Sequence, residues 1–327
     1  MKGEESMTNR NTIISDKYIE INGCRQNILI MCTDPSNPVL LIVHGGPGCP
    51  DRPLIKKYSS SLSAFYTVVC WDQRGSGLSY VKEHLTIDML LSDLKAVVEY
   101  LREKYSQEKL YIAGHSWGAY LGVRFAYMCP DYVKYYIGTG QEISVILSET
   151  DRYLFVREQA GKRNKTKVLK KLDRFGEPEG YHYRYNDKKA KAYVAGLVLT
   201  YAGYFSKNGE KSPAGYILSY LRLYTGSYKL KTLELAKGII KSLTTLYNEM
   251  DLNDSVSCIK ELKMPVLLIS GEEDMICPVP TAQRWFDSLS APEKKYVIIK
   301  NASHMVNFEK PDEWNRLLEE LVSSPNN

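Results

Sequence analysis

Short apolar runs that alternate with amphipathic stretches are the feature that most constrains this chain. The runs are apolar throughout, which is typical of strands buried on both faces. Between them, 87–104 repeats its apolar residues at helical steps, as an amphipathic helix does. Strands are predicted at 39–43, 67–71, 110–113, 135–138, 266–270 and 296–299, after a hairpin of 17–21 and 26–31 around Asn22-Gly23. This alternation predicts an α/β fold: a mostly parallel sheet with helices on both faces.

The hundred residues from 151 to 250 differ in composition from the rest of the chain. They carry 20 Lys+Arg against 9 Asp+Glu, and they hold 12 of the 25 tyrosines and none of the four tryptophans. Helix-like patterns cover 142–172, 190–205, 216–223 and 233–250. We therefore predict a first part of the core at 1–140, a helical cap at 141–260 inserted before the last two strands, and a second part of the core at 261–327. Such a cap lies over the carboxyl ends of the strands, where open α/β folds place active sites.

Composition also disfavours several classes of function. The net charge of +5 over 327 residues is too small to indicate nucleic-acid binding, and most basic residues of the cap are expected to form a solvated face. Seven scattered cysteines without a CxxC pair indicate neither a disulfide framework nor a zinc site. The first ten residues lack the apolar region of a signal peptide, and no apolar run has the length of a membrane span. We expect a cytoplasmic protein that needs no metal or cofactor and contacts neither nucleic acid nor membrane, and its oligomeric state is open.

The strongest local signal is Gly114-His115-Ser116-Trp117-Gly118, which follows a predicted strand and opens a predicted helix at 119–128. In that context G-x-S-x-G is typical of a nucleophile elbow, a sharp turn that lifts the serine hydroxyl above the sheet. Ser116 is therefore the candidate nucleophile, and the amide of Trp117 is a candidate donor to an oxyanion. The alternative is a strand-to-helix turn without catalysis.

A serine hydroxyl needs a base to take its proton, and the base needs an orienting acid. His304 follows the last predicted strand and is the candidate base. Asp274 follows the preceding strand and is the candidate acid, with Glu272 and Glu273 as rivals in the same loop. The order Ser116, Asp274, His304 is the one that α/β hydrolases use.

A second oxyanion donor is predicted in His44-Gly45-Gly46-Pro47-Gly48, which follows the buried strand 39–43. Glycines there allow the backbone to approach a substrate carbonyl closely. We select the N–H of Gly46 because a second preorganised amide is needed to hold the oxyanion.

Together these motifs resemble the α/β-hydrolase superfamily and, within it, the proline iminopeptidase family of serine aminopeptidases. The resemblance covers about 17–140 and 262–322 and rests on His44–Gly48 (HGGPG), Trp71–Ser79 (WDQRGSGLS), Gly114–Gly118 (GHSWG), Asp274–Pro278 (DMICP) and Ser303–Met305. It implies the α/β-hydrolase fold, with Ser116, Asp274 and His304 as the catalytic triad and Gly46 and Trp117 as the oxyanion hole. It also implies release of an N-terminal residue, typically proline, from a small or short-peptide substrate. Asp72 and Arg74 resemble structural members of the DQRG loop.

The predicted cap departs from the family pattern. That family binds the substrate α-ammonium with cap glutamates, whereas this cap has no tryptophan-glutamate pair, and Tyr201 stands where 201–205 would carry a carboxylate. An esterase or lactonase that uses the same triad on small esters is therefore the alternative function. A non-catalytic binding protein of the same fold is the third hypothesis, which the complete set of motifs disfavours. A mechanism with an aspartate nucleophile is disfavoured by the serine in the elbow.

Overall fold

A computed structural model describes residues 12–180, 182–209, 212–228, 232–251 and 256–323. Its centre is an eight-stranded sheet in the order β1-β2-β4-β3-β5-β6-β7-β8. The strands are β1 (Ile13–Ile21), β2 (Cys24–Cys32), β3 (Val39–Val43), β4 (Thr67–Asp72), β5 (Leu110–His115), β6 (Val133–Thr139), β7 (Val266–Gly271) and β8 (Lys294–Ile299). The β1–β2 and β2–β4 pairs are antiparallel and all other pairs are parallel. The predicted α/β fold with a mostly parallel sheet is confirmed.

Helices cover both faces of this sheet. They are α1 (Arg52–Tyr58), α2 (Ile87–Tyr105), α3 (Trp117–Met128), α4 (Val145–Lys162), α5 (Thr166–Phe175), α6 (Asp187–Tyr201), α7 (Pro213–Tyr228), α8 (Thr232–Asp251), α9 (Val279–Ser288), α10 (Val306–Glu309) and α11 (Pro311–Ser323). Alternate residues of β3 enter two different cores: Leu41 packs with residues of α2 and α3, and Leu40 packs with residues of α1 and α11. Burial on both faces explains why β3 is apolar at every position.

The single helix predicted at 142–172 is wrong, because α4 ends at Lys162 and α5 begins at Thr166. Asn164 lies between them with φ of 52°, in the left-handed region that asparagine tolerates better than most residues. Helix α1 was not predicted, and α3 begins two residues before the predicted start. Helix α1 is too short for its apolar residues to show a helical period.

The helices α4 to α8 lie in the chain between β6 and β7. Within the described residues, this stretch has no strand beyond the isolated bridge between Glu179 and His182. The cap segment 203–206 is bonded to the loop that follows β8: Gly203 O accepts from Ser303 Oγ at 3.0 Å, and Tyr204 O accepts from the Met305 amide at 3.1 Å. The division of the chain at 141 and 260 into core and cap stays a prediction. No helix in the described ranges combines the length and the apolar character needed to cross a bilayer.

Candidate active site

Ser116 lies at the junction between β5 and α3 in a strained backbone conformation. Its φ is 54° and its ψ is −116°, a region that residues with a side chain rarely occupy. Its N–H donates to Thr139 O on the neighbouring strand β6 at 2.9 Å, which holds the turn in place. The serine is partly exposed although the residues on both sides are buried. The strain therefore presents one hydroxyl at the carboxyl edge of the sheet.

The glycines of the motif make this turn possible. A β-carbon on Gly118 would lie 1.8 Å from Val43 O, and one on Gly114 would lie 2.4 Å from Gly118 O. Both contacts are with backbone atoms, which have little freedom to move. Strand β3, strand β5 and helix α3 can therefore approach each other this closely only with glycine at both positions.

His304 and Asp274 lie together at the same edge of the sheet. His304 Nδ1 is 2.9 Å from Asp274 Oδ2, and both side chains are buried. The other oxygen, Asp274 Oδ1, accepts from the amides of Ile276 and Cys277, each at 2.9 Å. A carboxylate at Nδ1 favours the tautomer with the proton there, which leaves Nε2 able to accept a proton. The rival acids point elsewhere: Glu273 accepts from Asn208 at 2.8 Å, and Glu272 is exposed.

The residues around Gly140 bring the serine and this pair to one place. A β-carbon on Gly140 would lie 3.3 Å from both Asp274 Oδ2 and His304 Cε1, while the preceding residue, Thr139, accepts from the Ser116 amide. His115 contacts the loop after β8 from the other side, because its Nε2 is 3.0 Å from His304 O. Burial lowers the pKa of His115 to about 3, so this histidine is neutral and donates to that carbonyl.

The two segments that carry the candidate oxyanion amides lie beside the serine. The backbone of Gly45 approaches it so closely that a β-carbon there would be 3.4 Å from Ser116 Cβ. Gly45 O accepts from His44 Nδ1 at 2.9 Å and from the Cys49 amide at 3.1 Å. Because a trans peptide is planar, the N–H of Gly46 points away from that fixed carbonyl. Trp117 is the first residue of α3, so its N–H has no acceptor within the helix.

A buried ionic cluster that the sequence did not predict contacts the loop that holds Asp274. Arg152 of α4 is 3.6 Å from Glu142 Oε2 and 3.8 Å from Glu149 Oε2, and it donates to Ile276 O in the Asp274 loop. Tyr183 donates to Glu149 at 2.7 Å. Burial raises the pKa of both glutamates, and the Arg152 charge opposes that rise. Glu142 follows β6 closely. A polar residue just after a strand was the one sequence signal that could have marked Glu142 as part of the candidate site.

A residue of the predicted cap, Tyr204, contacts the candidate base directly. The ring of Tyr204 lies 5.9 Å from the ring of His304, measured between centroids. The prediction for 201–205 noted only that Tyr201 stands in place of a carboxylate. The contact of Tyr204 with the candidate base was not predicted, because segment 203–206 meets the loop after β8 only through folding of the whole chain.

A model of the α/β-hydrolase fold family matches residues 38–311. The chain belongs to the α/β-hydrolase fold family. This α/β hydrolase resembles the probable aminopeptidase YbaC of Bacillus subtilis strain 168, with 30% identity over 302 residues that cover 90% of this chain and 92% of the relative. It also resembles the proline iminopeptidase of Heyndrickxia coagulans, with 24% identity over 95% of this chain and 99% of that protein. The resemblance to proline iminopeptidases that the motifs predicted is confirmed.

Solved structures share the fold of this α/β hydrolase. A proline iminopeptidase-related protein from Thermus thermophilus superposes with a TM-score of 0.64 at 19% identity, covering 95% of this chain and 98% of that one. The 2-hydroxy-6-oxo-6-phenylhexa-2,4-dienoate hydrolase of Rhodococcus sp. strain RHA1 has a TM-score of 0.65 at 16% identity, covering 96% and 100%. At identities this low the superpositions show only a common fold, and one fold can carry more than one activity.

Proposed function

We propose that this α/β hydrolase is a serine hydrolase that acts through an acyl-enzyme. Ser116 Oγ attacks a substrate carbonyl while His304 Nε2 takes the hydroxyl proton and passes it to the leaving group. Asp274 holds the imidazole tautomer and stabilises the imidazolium. The N–H groups of Gly46 and Trp117 stabilise the oxyanion, and water then attacks the acyl-enzyme with His304 again as base.

One observation carries this proposal: a strained, partly exposed serine shares an edge of the sheet with a buried His304–Asp274 pair bonded at 2.9 Å. The test is labelling by a fluorophosphonate probe, which phosphonylates activated serines. We expect labelling of the wild type and none of Ser116→Ala. The control is Ser242→Ala, because Ser242 is a buried serine whose side chain lies beside Gly48. A folded wild-type protein that takes no label would contradict the serine mechanism.

Within that chemistry we propose an aminopeptidase of the proline iminopeptidase type, acting on short peptides or amino-acid amides. The relatives named as aminopeptidase and proline iminopeptidase support this substrate class. The ionic cluster supports it as well, since two carboxyl groups, those of Glu142 and Glu149, lie against the one guanidinium of Arg152 near the candidate triad, and when both are ionised they exceed it by one negative charge. An excess negative charge favours a substrate that carries an α-ammonium.

The substrate class is tested by comparing a proline arylamide with its N-acetyl derivative and with a simple acyl ester. An aminopeptidase hydrolyses the free-amine arylamide and loses most of its activity when the amine is acetylated. Glu149→Gln should raise KM for the free amine and leave hydrolysis of the ester unchanged. Hydrolysis of the ester alone would overturn the aminopeptidase assignment and favour the esterase or lactonase, while the serine mechanism would stand.

A further inference from the structure

Gln73, which none of the proposed catalytic roles uses, lies between the two loops that supply the candidate oxyanion amides. It directly follows β4, and in the sheet β4 and β5 flank β3 on opposite sides. The loop after β3 holds Gly46, and the turn after β5 holds Trp117. The side chain of Gln73 is buried, so its amide must bond to protein groups.

Each end of that amide bonds to a different loop. Gln73 Oε1 accepts from the indole Nε1 of Trp117 at 3.0 Å, and Gln73 Nε2 donates to His44 O at 2.9 Å. The donor and acceptor of one rigid group therefore join the oxyanion loop to the start of α3. The edge of the Trp117 ring donates to Gln73, and its face stacks on Tyr120, with ring centroids 5.6 Å apart.

The backbone of Gln73 also fixes the ring of His44. The Gln73 amide donates to His44 Nε2 at 3.2 Å, Ser76 Oγ lies 2.9 Å from the same nitrogen, and His44 Nδ1 lies 2.9 Å from Gly45 O. Since a carbonyl only accepts, Nδ1 carries the proton and Nε2 is the acceptor. Burial lowers the pKa of His44 to about 4, which keeps the ring in this neutral form. The ring in turn fixes the Gly45 carbonyl, and with it the direction of the Gly46 N–H.

We propose that Gln73 is a positioning residue that sets the two oxyanion amides of Gly46 and Trp117 in register with each other. This inference rests on the proposed serine mechanism. Gln73 touches no reacting atom; it acts through His44 on one amide and through the indole of Trp117 on the other. Donors that are misplaced by a fraction of an ångström lose stabilisation of the transition state more than binding of the substrate.

The chain offers a matched control for this role in Gln26. That side chain is also buried; it accepts from the indole of Trp71 at 2.8 Å and donates to Asp93 at 2.7 Å. Gln73→Met and Gln26→Met each remove one bond to an indole N–H and one bond that the side-chain amide donates, and because Asp93 is charged we expect Gln26→Met to lower Tm by at least as much as Gln73→Met. Only the first change touches the oxyanion amides.

Both variants are assayed for hydrolysis of p-nitrophenyl butyrate and for inhibition by an alkyl trifluoromethyl ketone, which forms a tetrahedral adduct with the serine. For Gln73→Met we expect kcat to fall by about tenfold to a hundredfold with KM nearly unchanged, and the Ki of the ketone to rise by the same factor. Gln26→Met should keep both values within about twofold, as expected of a change outside the oxyanion loops. Equal kcat and Ki in the two variants would overturn the inference.

If Gln73→Met does not fold, Trp117→Phe removes the same bond from its other end, with Trp71→Phe as its control. The same split between the two variants is expected, and its absence overturns the inference. Failure of the proposed function would be seen separately, because the wild type itself would then neither hydrolyse the ester nor take a fluorophosphonate label. That result would remove the oxyanion role of Gln73 together with the serine mechanism.

Discussion

At the scale of single residues, Asp274 makes two sets of hydrogen bonds, and one substitution can change one set while keeping the other. Its Oδ1 accepts two backbone amides and shapes its own loop, whereas its Oδ2 faces His304. Asp274→Asn keeps an oxygen for the loop but turns an N–H towards Nδ1, which favours the wrong tautomer. We expect kcat to fall by about a thousandfold or more while the circular dichroism spectrum is unchanged. Full activity in this variant would remove Asp274 from the triad.

The rival carboxylates provide the control for that experiment. Glu272→Gln and Glu273→Gln change the same charge in the same loop, but the first side chain is exposed and the second bonds to Asn208. Both variants should retain wild-type kcat. A loss confined to Glu273→Gln would point to that residue as the orienting acid.

We expect Glu309 to make the free energy of unfolding depend on pH. Its buried carboxylate accepts from the Ser303 amide at 2.8 Å and from the Ser206 amide at 2.6 Å. It therefore joins the loop after β8 to segment 203–206. Burial raises its pKa from 4.5 to about 7, although both hydrogen bonds lower it, and the neighbouring charges of Glu273 and Asp274 add to the rise. A raised acid pKa means that the folded chain holds this proton over a pH range in which the unfolded chain has lost it.

The contribution of Glu309 to the free energy of unfolding should therefore decrease as the pH rises from 4.5 to about 7, by up to about 3 kcal/mol. Urea denaturation of wild type and Glu309→Gln at pH 5 and pH 8 measures this change as a difference between the two proteins. The wild type should lose stability relative to the variant on going to pH 8. The exposed Glu272→Gln is the control, and an identical difference at both pH values would contradict the prediction.

At the scale of elements, the strand-turn-helix unit around Ser116 depends on glycine for packing. Gly118→Ala would place a methyl group 1.8 Å from Val43 O, so β3 and α3 would have to separate. We expect a loss of stability of about 3 kcal/mol or more, or failure to fold, as for other overpacked sites. Gly196→Ala in α6 is the control, because among the described residues no atom beyond its chain neighbours and its own helix backbone lies within 4 Å of its new methyl group. Thermal denaturation should show that this change stabilises the chain by about 0.5–1 kcal/mol, since alanine favours helix more than glycine.

Elements that carry a local signal could be predicted from the sequence. The β3 strand is apolar at every position, and the Asn22-Gly23 turn has φ of 47° and 70°, as the hairpin signal requires. The break between α4 and α5 could not be predicted in this way, because 142–172 is helix-like throughout and the interruption depends on the backbone at Asn164. Short helices such as α1 lack the length that periodicity needs.

At the scale of the whole molecule, some residues of the candidate site could be identified from their own loops, and others come together only when the whole chain folds. Ser116, Asp274 and His304 could be placed at one edge because each follows a strand, and parallel strands end at the same edge. The contact of Glu142 with Cys277, 3.5 Å between Oε2 and Sγ, depends on β6 and β7 being neighbours in the sheet. Strand order and the path of the cap are not encoded in periodicity, so the ionic cluster and the Tyr204 contact could not be predicted.

The division of charge across the chain has a consequence for substrate entry. Residues 151–250 carry 20 Lys+Arg against 9 Asp+Glu, a net charge of +11, whereas the remaining residues carry 23 against 29, a net charge of −6. We therefore expect a cationic substrate to be repelled at long range by residues 151–250 and attracted at short range by Glu142 and Glu149 where these are ionised. Salt screens the first interaction much more than the second, because buried charges are screened much less than exposed ones.

We therefore expect kcat/KM for a free-amine proline arylamide to rise by about twofold to fivefold between about 10 mM and 300 mM NaCl, as repulsion from the exposed charges is screened. A neutral p-nitrophenyl ester is the control and should change little, since no long-range force acts on it. The comparison is made at constant pH and below KM, so that the initial rate reports kcat/KM. A fall with salt for the arylamide would show that attraction, rather than repulsion, governs its approach, and the basic cap would then not face the route of entry.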